Sequence, residues 1–449
     1  MAKTYRSHLG WRAVLLVLGC MAGGCALTNA FEDGPGAPAL DAGVEDDVDV
    51  DVAIDVQDDD IVDVNICQDC LHGACVDGQC TAILQLVAGS DFNCVLLASD
   101  DVACWGHNDL GQLGVAADDS RWSGPNIVER FVGATSIAAG WSHACVIAAD
   151  GVLCWGDNSA SQLGVPAGTD RESHIPTQVP ALGGEPFVAL ALGFQHGCAI
   201  NDADQAVCWG SNAVGQLGAD WNTTQSAQPL IVDGVADVAQ LATGGTTSCA
   251  RLVGGLVSCW GDNVRDQLGE RDGAGVMAKS DSAGVITPLD AAREIALGLN
   301  FACSLSEIGD VACWGNNDFG QLGTEAGGSR AKALDIESLT QMQGVRAGLG
   351  EHACAFDEGQ VRCWGRNDHG QLGNGQNGAD QSVSVPVIAQ SPWAALRDLA
   401  LGNRHSCALD DAQQVWCWGA NDEGQVAPSL GKGDVLVPVR VRLHFSTNP

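Results

Sequence analysis

Apolar residues come in short runs along this chain, each pair of runs split by a polar turn. From Cys145 to Cys154 the residues read CVIAADGVLC, apolar on both sides of Asp150-Gly151, which predicts two adjacent antiparallel strands joined by a tight hairpin. The arrangement recurs seven times, each copy ending in Cys-Trp-Gly, with Trp at 105, 155, 209, 260, 314, 364 and 418. Each copy continues to an Asn two residues past the Gly: Asn108, Asn158, Asn212, Asn263, Asn317, Asn367 and Asn421. Six then close with Gln-Leu-Gly, as in CWGHNDLGQLG, and the seventh decays to Gln425-Val426-Ala427, as terminal repeats often do.

Successive Trp residues are 50 to 54 positions apart, which suits one four-stranded propeller blade with its glycine turns. A blade is apolar on both faces and can bury them only against neighbours, so seven in a ring leave no free face. The expected fold is all-β, a seven-bladed β-propeller of four-stranded blades over residues 81–449. The Trp of each copy is expected to pack between blades. The Asn and Gly that follow belong in tight turns.

A second cysteine precedes each Cys-Trp-Gly by nine or ten residues. The pairs are Cys94 and Cys104, Cys145 and Cys154, Cys198 and Cys208, Cys249 and Cys259, Cys303 and Cys313, Cys354 and Cys363, and Cys407 and Cys417. On adjacent antiparallel strands the members of a pair come roughly opposite, within the reach of a disulfide. Buried thiols would be the alternative in a reducing compartment. Four more cysteines, Cys67, Cys70, Cys75 and Cys80, make a small module at 67–80. Two disulfides are expected there, and zinc with His72 as a spare ligand is the alternative. With Cys20 and Cys25 these account for all 20 cysteines.

The pattern Gly-x-x-His-x-Cys-Ala-Leu, then a turn and Cys-Trp-Gly-x-Asn-x-x-Gly-Gln-Leu-Gly, resembles the repeat of the regulator-of-chromosome-condensation family. Gly402–Leu409 (GNRHSCAL) and Trp418–Gln425 (WGANDEGQ) show it well, and the likeness runs over about residues 83–443. The resemblance implies a seven-bladed propeller, and the added cysteines suit exported bacterial relatives. The family's eukaryotic prototype exchanges nucleotide on a small GTPase and docks on chromatin.

The N-terminus argues for export. Lys3, Arg6 and Arg12 precede an apolar run from Ala13 to Gly19, which is too short for a membrane span, so 1–25 reads as a lipoprotein signal. Cys25 follows Ala22-Gly23-Gly24 and is the expected lipidated residue; Cys20 is the alternative, with a shorter apolar stretch before it. Residues 26–66 form an acidic linker, expected to be disordered, because its dense like charges repel and extend the chain. Calcium binding by Asp47, Asp49 and Asp51 is the sharper alternative, but the glycine and distal Glu of a calcium loop are missing. The expected location is the bacterial cell envelope, at the outer membrane or cell surface.

A formal net charge of -35 excludes a nucleic-acid partner, because phosphates would be repelled. The histidines at 143, 196, 352 and 405 share one repeat position, two residues before a cysteine, whereas Thr247 and Phe301 stand there in two other copies. A residue recurring around a ring reads as packing chemistry, so no catalytic residue, cofactor or metal is expected. The segments after Gln-Leu-Gly vary freely in length and composition, and loops of this kind on a rigid scaffold are where recognition usually lives. Trp122 and Trp221 lie in them and are the candidate binding anchors, unless they pack down onto the blade edge. The expected function is that of a monomeric, envelope-anchored binding propeller. Its partner would be a protein or an envelope ligand, and the membrane would be touched only through the lipid. An inhibitor of a secreted enzyme is an alternative. Nucleotide exchange would require a cytoplasmic or nuclear site, which the export signal contradicts.

Overall fold

Each repeat folds into four antiparallel strands taken in sequence order, and seven such sheets follow one another along the chain. The computed structural model describes residues 74–76, 79–116, 125–168, 172–181, 186–220, 222–269, 279–285, 291–388 and 395–445. The signal, Cys25, the acidic linker, Cys67, Cys70, Trp122 and Trp221 all lie outside the described residues. Blade 3 is representative, with strands Phe187–Leu192, His196–Asn201, Ala206–Ser211 and Gln225–Ile231. The innermost strands line a central channel of about 350 Å³; blade 1 begins with Ile83–Ala88 and blade 7 with Leu396–Leu401.

All seven predicted cysteine pairs are disulfides between directly opposed residues of the second and third strands. The Cα atoms are 4.0 to 4.1 Å apart in every pair, at the short end expected of cross-strand neighbours. Where the spacing is nine rather than ten, as in Cys145 and Cys154, the turn absorbs the difference and the residues still face each other. Cys75 and Cys80 are also disulfide-bonded.

The core lies in the seams between blades. Each disulfide packs against the Trp of the next blade: Cys94 and Cys104 against Trp155, and so on around to Cys407 and Cys417 against Trp105. Every one of these seven Trp side chains is 0% exposed. Burying an indole removes roughly 150–250 Å² from water, so the seams carry much of the hydrophobic stabilisation. The Gly after each Trp is a steric requirement. Gly106 has φ of 112°, and a Cβ there would lie 2.6 Å from the Asp91 carbonyl oxygen.

Blade 7 is built from its own four strands, so the ring closes without borrowing one from the N-terminus. Closure comes instead from a small three-stranded sheet. Ala74–Val76 pairs with Gln79–Thr81 on one side and, in parallel, with His444–Phe445 on the other. The Cys75 amide donates to the Leu443 carbonyl at 3.0 Å, and Ala74 sits in the core between blades 7 and 1 with Val426, Val441 and Leu443. The described part of the cysteine module, residues 74–76 with 79–81, thus clasps the ring.

Candidate functional site

Alternating strand direction puts the turn between the first two strands of each blade on the same face as the segment after Cys-Trp-Gly. Backbone bonds tie them together there: the amides of Asp157, Ser211 and Asp262 donate to the carbonyls of Ser142, Gln195 and Thr246. The repeated polar residues build this face. The Asn after each Cys-Trp-Gly accepts the amide of the following Leu or Val through Oδ1, as in Asn212 with Leu217 at 3.0 Å. Its Nδ2 donates to the first carbonyls of the loop beyond, those of Ala219 and Asp220 in blade 3. The loop is pinned at its root, so its length can change without disturbing the blade.

The Gln of Gly-Gln-Leu-Gly folds back to accept the amide two residues earlier, as Gln216 does from Val214. Its carbonyl accepts the indole N–H of the next blade's Trp at 2.8 to 3.0 Å in all seven seams, including Trp105 to Gln425 at the closure. These Asn and Gln residues are structural.

So are the four histidines, each 0% exposed within a seam. Nε2 of His196, His352 and His405 lies 2.9 Å from Ser248 Oγ, Ser406 Oγ and Asn93 Oδ1 of the next blade. Ser248 and Ser406 in turn donate to the Gln216 and Gln371 carbonyls, so the imidazoles donate through Nε2. Loss of hydration pushes the pKa of His143, His196 and His352 down to about 3 and that of His405 to about 4. They are neutral at ordinary pH and shut away from solvent. Of the four, only His143 has no partner at either ring nitrogen; in the following blade Gly197 holds the sequence position that Ser248, Ser406 and Asn93 hold for the other three.

In the channel, Arg346 of blade 6 lies between Glu294 of blade 5 and Asp398 of blade 7, its Nη2 2.7 Å from Asp398. Burial works against the guanidinium charge, but Asp398 and Glu294 outweigh it and hold the pKa up. Glu294 also accepts the Val345 amide at 3.1 Å. Gln85 and Gln240 do the same for Ile137 and Ile295 across their seams. This polar tier ties inner strands together. Among the described residues no group of three or more His, Cys, Asp or Glu side chains could hold a metal ion, and no helix is long and apolar enough to cross a membrane.

At the channel mouth on the loop face, the turns of adjacent blades are bonded to one another: Ser90 N–H to Trp141 O, Trp141 N–H to Gly193 O, Phe194 N–H to Gly245 O and Asn403 N–H to Ser90 O. The residue after the turn Gly therefore rings the mouth. Blades 2 and 3 place Trp141 and Phe194 there, half-buried, with ring centroids 4.2 Å apart and planes at 64°. Blades 7 and 1 place Asn403 and Ser90 there and bring the Arg404–Asp91 ion pair alongside, at 3.3 Å. Sequence reasoning passed over Trp141 and Phe194. The available signal was their place in GWSH and GFQH, a variable position inside an otherwise repeated motif.

Known proteins share this architecture. The family described as "Regulator of chromosome condensation (RCC1) repeat" matches residues 83–112, 134–162, 187–216, 292–321 and 397–425 in one form and 100–147, 150–200 and 358–409 in another. Together these make up just over half of the chain. The ultraviolet-B receptor of Arabidopsis thaliana is 29% identical over 283 residues, 61% of each chain. A probable E3 ubiquitin-protein ligase of Mus musculus is 29% identical over 163 residues, 35% of this chain and only 15% of the ligase. The chain thus spans a small part of the ligase and under two thirds of the receptor. Among solved structures, Prp20p from Saccharomyces cerevisiae, a protein studied for its binding to Gsp1p and histones, superposes with a TM-score of 0.65 at 22% identity, covering 74% of this chain and 84% of its own.

Proposed function

The chain belongs to the regulator of chromosome condensation (RCC1) repeat family, and from that premise we propose that it is a binding propeller that recognises a protein through its loop face. The observation that carries this reading is the pinned root of each variable loop. A repeated Asn fixes where the loop leaves the blade, while the segment beyond it differs from blade to blade. Rigid rings that present unlike loops on one face are suited to recognition. The structure of Prp20p supports a protein as the ligand class, since that propeller is described as binding Gsp1p and histones.

The histidines support binding over catalysis, because all four are sealed in seams where no substrate reaches them. The signal-like N-terminus and Cys25 support export and lipid anchorage at a cell envelope, with the acidic segment as the tether. The test is photocrosslinking in the native host, with the crosslinker placed at Asp220 or Gln376 on the loop face and at Asp202 or Glu358 on the opposite face. Adducts to one protein from the loop-face positions alone are expected. Adducts from the opposite face alone would refute the assignment of the face.

A further inference from the structure

The corner formed by Trp141 and Phe194 has a chemistry of its own. Two rings set at 64° make two walls of an open angle rather than a closed stack. Gly245 follows on the rim in blade 4, so the next position beside Phe194 carries no side chain. Two carboxylates flank the pair. The Asp157 amide is bonded to the Ser142 carbonyl, one residue past Trp141, and the Asp262 amide to the Thr246 carbonyl, one residue past Gly245.

Neither carboxylate is neutralised. Asp157 accepts from the Ser159 amide and hydroxyl and from Gln162 Nε2. Asp262 accepts from the Val264 amide and Gln267 Nε2. All of these donors are uncharged, and among the described residues no Lys or Arg comes within ion-pair distance of either. Other acids of the face are paired: Asp91 with Arg404, Asp318 with Arg265, and Glu351 and Asp368 with Arg366. Among the described residues, this aromatic corner of the rim combines paired rings with carboxylates that are uncompensated and already oriented.

Aromatic faces attract cations through their quadrupole, and a carboxylate held in place adds a charge-assisted hydrogen bond. We propose that this corner is a subsite for an arginine or lysine side chain of the protein partner. The cation would lie against Trp141 and Phe194, with Asp157 and Asp262 as counter-charges. This assigns a ligand chemistry to the loop face and rests on the reading of that face as the docking surface.

The probe is a set of blocked pentapeptides, Gly-Gly-Xaa-Gly-Gly with Xaa Arg, Lys, Gln or Glu, observed by saturation-transfer NMR against the soluble Cys25→Ser chain. The Arg and Lys peptides should bind with millimolar affinity, weaken as salt rises, and outbind Gln by fivefold or more, with Glu silent. Asp157→Asn with Asp262→Asn should erase that preference at unchanged thermal stability, and Trp141→Leu should do so while keeping an apolar wall. Equal binding of Arg and Gln peptides, or a preference that survives both variants, would overturn the proposal. The two readings fail separately. If loop-face crosslinks to the partner persist in the Asp157→Asn, Asp262→Asn chain with undiminished affinity, the face stands and the cation subsite falls. If the peptides behave as expected but crosslinks come only from the opposite face, the subsite stands and the docking reading falls.

Discussion

Replacing His143 by Phe is expected to stabilise this protein, although it exchanges one fully buried residue for a larger one. The reason lies in what the next blade offers. His196, His352 and His405 face Ser248, Ser406 and Asn93 and bond to them at 2.9 Å. In blades 1 and 5 the same position is Phe92 and Phe301, which pack with Ala144 and Ala353 of the following blade. His143 is the misfit: the corresponding position of the next blade is Gly197, which has no side chain to offer, and both its nitrogens are unpartnered at 0% exposure. A buried polar group without a partner costs about 1–3 kcal/mol. Phe should fit, since Gly140 leaves the same space over His143 that Gly89 and Gly298 leave over the two Phe rings. Allowing about 1 kcal/mol for added volume, the net gain is about 1 kcal/mol at pH 7.5.

The gain should grow in acid. His143 has its pKa lowered to about 3 in the fold against 6.5 free, so the unfolded chain takes up the proton first. Its contribution to stability is intact above pH 6.5 and is lost progressively as pH falls toward 3. By pH 5 the wild type has given up roughly 2 kcal/mol through this residue, and the Phe variant has not. His196→Phe shares that pH trend but should lower stability by about 1 kcal/mol at pH 7.5, because it removes the bond to Ser248. Urea unfolding of the oxidised proteins at pH 7.5 and 5.0 measures both effects. Shifts of the same sign for the two variants at pH 7.5, or a His143→Phe gain that does not grow at pH 5.0, would refute the reasoning.

Further outcomes are expected. Deleting residues 74–81 should open the ring at the clasp, seen as faster amide exchange confined to blades 7 and 1; uniform protection would mean that closure does not depend on it. The seven blade disulfides, all at 0% exposure, should resist millimolar dithiothreitol until denaturant is added, whereas thiols released from the native protein would show that the seams open readily. Arg346→Met should lower stability by about 1–2 kcal/mol by leaving Glu294 and Asp398 without their shared cation, between the values for buried and exposed pairs because the three side chains are partly open to the channel, checked by the same urea titration. Cys25→Ser should move the protein from the membrane to the soluble fraction, and an unchanged distribution would point to Cys20. Trp122→Ala and Trp221→Ala should each weaken partner binding by about 1–2 kcal/mol if their rings are anchors, measured by titration against the crosslinked partner.

Whatever is repeated within one blade is legible in the residues alone. The hairpin in CVIAADGVLC, the disulfide that crosses it and the turn roles of Asn and Gln follow from contacts within about ten residues, where alternation and turn chemistry act locally, and the blade number follows from counting the copies. Tertiary structure decided what meets across a seam. Whether a buried histidine finds a hydroxyl or an amide depends on a residue of the next blade, 52 positions away for His196 and 312 for His405, whose place opposite is set by the stacking of blades. The same holds for Trp141 and Phe194, which look like separate turn residues until the ring brings them to 4.2 Å. Closure lies furthest from local reach. Val76 and Phe445 pair across nearly the whole propeller, and no pattern in either short segment announces it, because parallel pairing of two short strands becomes favourable only once the other seams have brought the ends together.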